Sequence, residues 1–545
     1  MAGPYFFNSM SSTDWVIVLT TLGPLLLIAN GIYNLFFHPL AHVPGPFFAR
    51  ASGIPAWYHT YRGKRHIWLW EQFQIYGNKI RSEPNTVLFC DPEAYADIYS
   101  MKSNMRRSHF YTLWRRDEGD QTAFNSVDVA AHARMRKLLN QSFTEKSLGA
   151  ASNFVIKHVD RWNQLFVNDN GNDINMDWSA PVDFALKADT LALDVIGDLS
   201  LGKSFNLKEP GENPLEAVPH NIHEFMVFYN NMARSPILNL VLWLKPHGLD
   251  RLLALLTPPA VQKYLQFLHE SVTERITLQE EQAEKPEGER RQDMFYFLYE
   301  ARDPNTGLPG YDENSLRSET NSFLIAGSDT VAVALSSTFF YLTGDPRRCQ
   351  KLTREIRTTF ASADEIVLGP KLSSCTYLKA CIDEGMRLSP PVPSDLQREV
   401  LPGGLTIKGE FFPAGTNVGT SNWADTHSLE IYGDPDVFRP ERWIVDESAG
   451  VTKEDVARMR SMLHPFSSGP HRCPGKNLAM VELLIAVART LYRLDVRREP
   501  ESTVGGGAPE FGWGSRSPKQ YDIRDAFVSI RRGPMVQFKK AVSDL

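Results

Sequence analysis

The residues with most chemistry in them lie close to the C-terminal end. Cys473 sits in Phe466-Ser467-Ser468-Gly469-Pro470-His471-Arg472-Cys473-Pro474-Gly475, a tight stretch leading directly into an apolar helical pattern from Leu478 to Leu491. A thiolate is a soft, anionic metal ligand, and a glycine-rich loop lets backbone N–H groups approach and stabilise its charge. A second group is Ala326-Gly327-Ser328-Asp329-Thr330, which interrupts a long apolar run. Glycine costs about 1 kcal/mol in a helix interior, and a buried aspartate needs a partner. Small residues there admit a flat cofactor close to the helix, and an acid beside an alcohol makes a proton relay. Glu384 and Arg387 stand three apart on one helix face, with Arg442 further on. Together they can close a bidentate, charge-assisted network; the plain alternative is an exposed ion pair. His132 and Arg136 are four apart and could grip a carboxylate from one helix face, the alternative being a solvated basic face.

Composition narrows the classes. The chain has 545 residues and a formal net charge of −6, which gives no reason to expect a nucleic-acid partner. Its five cysteines (Cys90, Cys349, Cys375, Cys381, Cys473) show no CxxC pair and no framework spacing. That argues for a reducing compartment and against a disulfide scaffold or structural zinc. A cysteine hydrolase built on Cys473 would need a histidine base and an oxyanion site. His464 and His471 are near in sequence, but the proline-flanked loop has no hydrolase context.

Other elements must place these groups. Residues 15–37 carry no charge and predict a transmembrane anchor, since a helix of that length spans about 30 Å. Arg50, Arg62, Lys64 and Arg65 follow it, which puts the body in the cytosol and residues 1–14 in the lumen. Residues 38–49, with Pro39, Pro44 and Pro46, form a stiff hinge, and residues 50–545 make one catalytic domain with no clear linker. Patterning predicts a helix over 63–77, a hairpin over 80–90, a helix capped by Asp91, and a loop over 110–124. Glu313–Leu342 and Tyr377–Leu388 read as helices, with short strands near 396–400, 405–407 and 411–412. Val504–Ser517, rich in glycine, reads as a flexible surface insertion, followed by a C-terminal hairpin.

These motifs, in this order along almost the whole chain, resemble those of the cytochrome P450 family. The resemblance implies a mainly α fold with a minor β-sheet domain, holding haem b between the long central helix and the cysteine loop. Cys473 would be the axial thiolate, with Phe466, Gly469, His471 and Gly475 completing the loop. The family usually has arginine where this chain has His471, and Arg472 stands beside it. By the same resemblance His132 and Arg136 hold a haem propionate, and Asp329 and Thr330 are the acid–alcohol pair. Glu384, Arg387 and Arg442 hold the cysteine loop. Ala326, Gly327, Val392 and Pro393 face the substrate pocket.

The implied reaction is insertion of oxygen from O2 into a small hydrophobic molecule of fungal secondary metabolism, by hydroxylation, epoxidation, desaturation or cyclisation. No flavin or nicotinamide motif is present, so electrons from NADPH would arrive through NADPH–cytochrome P450 reductase, with cytochrome b5 a second candidate donor. Lys137, Arg472 and Lys476 are candidates for the docking face, on a body held at the endoplasmic reticulum membrane. An isomerase or dehydratase of the same fold working without O2, or a non-catalytic haem protein, is the alternative; the retained Asp329–Thr330 pair favours the monooxygenase.

Overall fold

The computed structural model describes residues 12–115, 119–168, 178–249, 255, 257–286 and 289–541. Seven helices matter most for the site: α1 (Ser12–Phe36), α2 (Val129–Leu139), α3 (Phe184–Leu201), α4 (Val218–Ala233), α5 (Glu313–Gly344), α6 (Thr376–Leu388) and α7 (Lys476–Arg493). α5 runs 32 residues through the middle of the molecule, and its side chains are buried almost without break from Val331 onward. Asp312 caps it by accepting from the Ser315 N–H at 2.8 Å. Its many hydroxyls do not disrupt the core because they bond back to carbonyls one turn earlier, Ser328 to Leu324 at 2.6 Å and Thr338 to Ala334 at 2.7 Å. α3 lies along α5 so closely that a Cβ on Gly327 would come within 2.8 Å of Ile196. The expected glycine in this helix is therefore a packing requirement as well as a concession to a cofactor.

A five-stranded sheet, β1 (Lys79–Glu83), β2 (Thr86–Phe89), β3 (Met105–Arg107), β4 (Arg398–Val400) and β5 (Asn417–Thr420), forms the minor layer. Its order is β1-β2-β5-β4-β3, with β2 and β5 parallel and the other neighbours antiparallel. The register sets Arg107 directly opposite Arg398. Asp91 caps the helix that follows β2, as expected, accepting from the N–H groups of Glu93 and Ala94.

The N-terminal helix stands off the body. Leu25, Leu26, Leu27 and Ile28 are 60–73% exposed. The chain then turns at Leu40 and Val43, both buried, and the Pro44 carbonyl accepts from Arg81 N–H at 2.7 Å, which docks the hinge on the sheet. Residues 1–11 of the expected lumenal segment lie outside the described residues. Among the described residues, α5 is the helix long and apolar enough to cross a membrane, but it is the buried core helix; the described apolar part of α1, Leu22–Phe36, is shorter.

Three expectations change. The C-terminal hairpin of 526–530 with 535–538 does not form: Val528–Ile530 pairs with Arg524–Ala526, and Met535–Lys540 pairs with Leu494–Arg498 and Val182–Asp183. Part of the 110–124 loop is a 3₁₀ turn, His109–Trp114, that buries Phe110, Tyr111 and Trp114. The glycine-rich 504–517 stretch is packed rather than loose: Gly507 N–H is shared by the carbonyls of Ser517 (3.1 Å) and Gln520 (2.9 Å), and Trp513 lies on Trp70. Glycine serves close backbone approach here, since a Cβ on Gly507 would meet the Ser515 carbonyl at 2.2 Å.

Candidate active site

One cavity of about 330 Å³ separates α5 from the cysteine loop. Ala326, Gly327 and Thr330 line one wall; Phe466, His471, Cys473 and Gly475 line the other, continuing into α7 at Leu478 and Glu482. The loop's shape comes from its backbone. Cys473 N–H donates to the Phe466 carbonyl at 2.8 Å. Gly469 turns at φ +66°, and a Cβ there would sit 2.1 Å from the Tyr99 carbonyl. Gly469 accordingly shapes the turn from behind and does not line the cavity.

The other four cysteines are buried in the core, whereas Cys473 opens onto the cavity. Burial pushes its thiol above the ordinary value, opposed by the N–H of Gly475, the Arg136 guanidinium and the N–H of Lys476. A cation at the sulfur would tip this balance to thiolate. The rim is strongly cationic. Arg107 and Arg398 face each other across β3 and β4, and like charges directly opposite destabilise a sheet. Both line the cavity, both are buried, and the Nε of each lacks a hydrogen-bond partner. Burial, with Arg398 and Arg136 nearby, pulls the Arg107 guanidinium down to about 9. Arg136 lines the same rim and donates to the Arg472 carbonyl at 2.5 Å. Guanidinium groups gathered around a thiol suit a metal-bearing group with carboxylate arms; haem fits this donor set.

The remaining predicted residues fall in three places. His132 is buried behind the rim, its Nε2 3.0 Å from His471 Nδ1, so it reaches the cavity only through His471. Burial, Arg107 and Arg136 hold His132 at about 3, so the pair is neutral, with one ring nitrogen donating to the other. Val392 lines the cavity; Pro393 does not, and its carbonyl accepts from Trp423 N–H at 2.9 Å. Thr330 lines the cavity, its hydroxyl donating to the Ala326 carbonyl at 2.6 Å, while Asp329 points away and is buried. Burial pushes Asp329 up to about 6, opposed by His223.

Glu384, Arg387 and Arg442 form a closed, buried network. Arg387 donates to both carboxylate oxygens at 2.9 Å. Arg442 Nε donates at 3.0 Å, and Trp443 Nε1 and the Arg439 N–H each donate at 2.9 Å. Arg387 also reaches the carbonyls of Thr426 and Pro435, gathering the 426–443 segment under α6. Tyr432 passes this on to the Met459 carbonyl at 3.0 Å, just ahead of the cysteine loop.

Sequence reasoning missed Arg107, Arg398 and Glu482, and it did not single out the cover residues Trp114, Phe124, Phe225 and Phe527. Two left a signal. Strand alternation puts Arg398 on the same face as Leu396 and Val400, and helical spacing puts Glu482 beneath Leu478. Burial alone drives the Glu482 carboxyl up to about 8.

A mainly helical fold that sets a glycine-bounded cysteine loop against a central acid–alcohol helix defines a class of haem-thiolate oxidoreductases. A family model described as Cytochrome P450 matches residues 45–513. The chain is 34% identical to "Cytochrome P450 monooxygenase apf7" of Gibberella fujikuroi, over 98% of this chain and 99% of that protein. It is also 34% identical to "Cytochrome P450 monooxygenase fscF" of Fusarium equiseti, over 96% of each. To "Cytochrome P450 monooxygenase AKT7" of Alternaria alternata it is 30% identical, over 96% of this chain and 98% of that protein. The chain belongs to the cytochrome P450 family. It is a monooxygenase of the haem-thiolate kind, served in general by a reductase.

Proposed function

We propose that Cys473 is the axial ligand of haem b and that the enzyme oxidises a small, hydrophobic secondary metabolite with O2 and two electrons from NADPH–cytochrome P450 reductase. The observation that carries this is Cys473 and Thr330 on opposite walls of one cavity rimmed by Arg107, Arg136 and Arg398. Bound haem supplies the oxygen-activating redox chemistry. The arginines and His471 receive its carboxylate arms, and Ala326 and Gly327 keep the central helix close without crowding it. Thr330 and Asp329 move protons inward, and the Asp329 value near 6 suits a group that gains and loses protons near neutrality. Trp114, Phe124 and Phe527 make an apolar wall, with ring centroids 5.7 and 5.8 Å from Phe527, that excludes water and favours a hydrophobic substrate. With purified full-length holoenzyme, NADPH oxidation should require both the reductase and O2. Conversion of any substrate without NADPH would instead favour an isomerase or dehydratase.

Lys137, Arg472 and Lys476 are exposed, Arg472 and Lys476 beside Cys473, and support docking of an acidic flavoprotein, with cytochrome b5 as a competing donor. Residues 15–37 are proposed to span the endoplasmic reticulum membrane, with 1–14 lumenal, 38–49 as the hinge and 50–545 in the cytosol. A second apolar face adjoins the hinge: Phe47, Phe48 and Ile54 are exposed, as are Ile237 and Trp243, and the two segments meet where Trp57 Nε1 donates to the Asn231 carbonyl at 3.0 Å and Gly53 approaches Pro236. Deleting residues 2–37 is therefore expected to abolish resistance to alkaline carbonate extraction while leaving peripheral association that detergent releases. Resistance retained in full would overturn the anchor.

A further inference from the structure

Asp329 faces away from the cavity, so its proton must come from the other side of α5. Three charged or titratable groups from the elements packed there act on its carboxyl: His223 on α4, Asp189 on α3, and Arg531 just after the strand Val528–Ile530. Arg531 is committed elsewhere, donating to Asp189 at 2.6 Å and to the Ser336 hydroxyl at 3.0 Å. A guanidinium also does not give up its proton in proteins, so Arg531 can set the local field but cannot carry protons. Asp189 is an acid in an ion pair. His223 differs from both: its Nε2 lies 3.9 Å from Asp329 Oδ1, and its side chain is 18% exposed against 6% for Asp329. It does not line the cavity. One end of this contact thus touches water outside the site, and the other touches the buried acid.

We infer that His223, on the helix roofing the cavity, is the residue through which protons from solvent reload Asp329. This rests on the monooxygenase reading, and it makes His223 a positioning and relay residue acting through Asp329. In the step, the imidazolium Nε2–H breaks and its proton bonds to Asp329 Oδ1, leaving a neutral imidazole and a neutral carboxyl. Asp329 then releases the proton toward Thr330 and the cavity, and water reprotonates the imidazole; no electrons move. Histidine is the side chain whose charge ordinarily changes between pH 5 and 8, which suits repeated loading and release. The 3.9 Å gap is longer than a hydrogen bond, so transfer needs α4 to close by about 1 Å or one bridging water. Phe225 and Met226, on the same helix as His223, line the cavity. The cavity wall and the contact to Asp329 therefore share one helix.

The test uses full-length holoenzyme with its reductase and no added substrate, comparing wild type with H223Q, H223K and D329N. The carbon monoxide band near 450 nm checks fold and haem in each. Two quantities are read: the pH midpoint of the Asp329 carboxyl stretch, identified by its loss in D329N, and the fraction of NADPH electrons recovered as hydrogen peroxide. H223Q is expected to raise the midpoint by roughly half a pH unit or more, because a neighbouring cation is lost, and to raise the peroxide fraction about two- to fivefold as proton delivery slows. H223K is expected to restore the midpoint but not the peroxide fraction, since lysine keeps its proton near neutrality. Wild-type midpoint and peroxide fraction in H223Q, with a raised fraction in D329N, would overturn the proposal. So would rescue of both quantities by H223K, which would make His223 a fixed charge only. Failure of the wild type to show the band or reductase-driven NADPH oxidation would instead remove the monooxygenase reading beneath it.

Discussion

Cys473→Ser is expected to remove the carbon monoxide difference band near 450 nm and to lower reductase-driven turnover below detection, with the fold intact. The separation of the two effects follows from how the loop is built. Its turn is fixed by the Cys473 N–H on the Phe466 carbonyl and by Gly469 against the Tyr99 carbonyl, and none of these contacts uses the sulfur. A serine hydroxyl fits the same space, so the melting temperature of the apoprotein should stay within about 2–4 °C of wild type. What serine lacks is an ionisable soft donor. The thiol, already pushed up by burial, becomes a thiolate only when a cation sits on it, and a hydroxyl makes that transition far less readily. On the proposed reading Arg107, Arg136 and Arg398 would still receive the carboxylate arms, so some haem should still bind, with absorption displaced from the thiolate position. An unchanged band in the variant would show that a different residue is the ligand.

How legible the site was depended on whether its residues advertised themselves locally. The cysteine loop, the Ala326–Thr330 interruption and the Glu384–Arg387 pair each break a local rule, by glycine in a helix, a charge in an apolar run, or proline around a cysteine. Each also lies where the expected helices do. Arg107 breaks no such rule, because its meaning arises only when β3 pairs with β4 and places it opposite Arg398. That pairing joins segments 291 residues apart at Arg107 and Arg398, and no short-range pattern encodes it. His223 is a further case: on its own it is one histidine on an amphipathic helix, and only the packing of α4 on α5 brings it near Asp329. The glycine-rich 504–517 segment failed in the opposite sense. Its composition reads as freedom, yet Gly505, Gly506 and Gly507 each relieve a backbone contact that a side chain would forbid. The 1–14 segment falls largely outside the described residues, and the substrate's identity depends on the shape of an aromatic wall drawn from four separate segments.

Glu384→Gln is expected to be the most destabilising single substitution in this network, by about 3–5 kcal/mol. Glu384 and Arg387 are each completely buried, and Arg442 is nearly so. The carboxylate accepts from five donors, two on Arg387 and one each on Arg442, Trp443 and the Arg439 backbone. Glutamine keeps the shape but turns one acceptor oxygen into a donor. Either Trp443 and Arg387 Nε, or the three donors at the other oxygen, then meet an N–H group. Two buried guanidinium groups also lose their only carboxylate in the network interior, since the Asp434 partner of Arg442 is partly exposed. Against a total stability on the order of 5–15 kcal/mol, that loss is large enough to unfold much of the protein at growth temperature.

The pH dependence has a definite sign. Burial pushes the Glu384 carboxyl up, but Arg387 and Arg442 outweigh it and hold the value below the ordinary glutamate range. A carboxyl depressed in the folded state contributes stability that is complete above its unfolded value and disappears as pH falls through the folded one. Wild type should therefore keep this contribution from neutrality down to the ordinary carboxylate range and lose it only below that. Glu384→Gln should lack it at every pH, so its stability difference from wild type should be constant near neutrality and shrink in acid. Urea melts at a series of pH values measure this directly, and the carbon monoxide spectrum of the surviving folded fraction reads the consequence at the site. Because Arg387 ties down the 426–443 segment that leads through Tyr432 and Met459 to the cysteine loop, part of the band should move from near 450 toward about 420 nm. Wild-type melts together with an undisturbed band would mean that the loop is held by other contacts, such as the stacking of Tyr95 on His464.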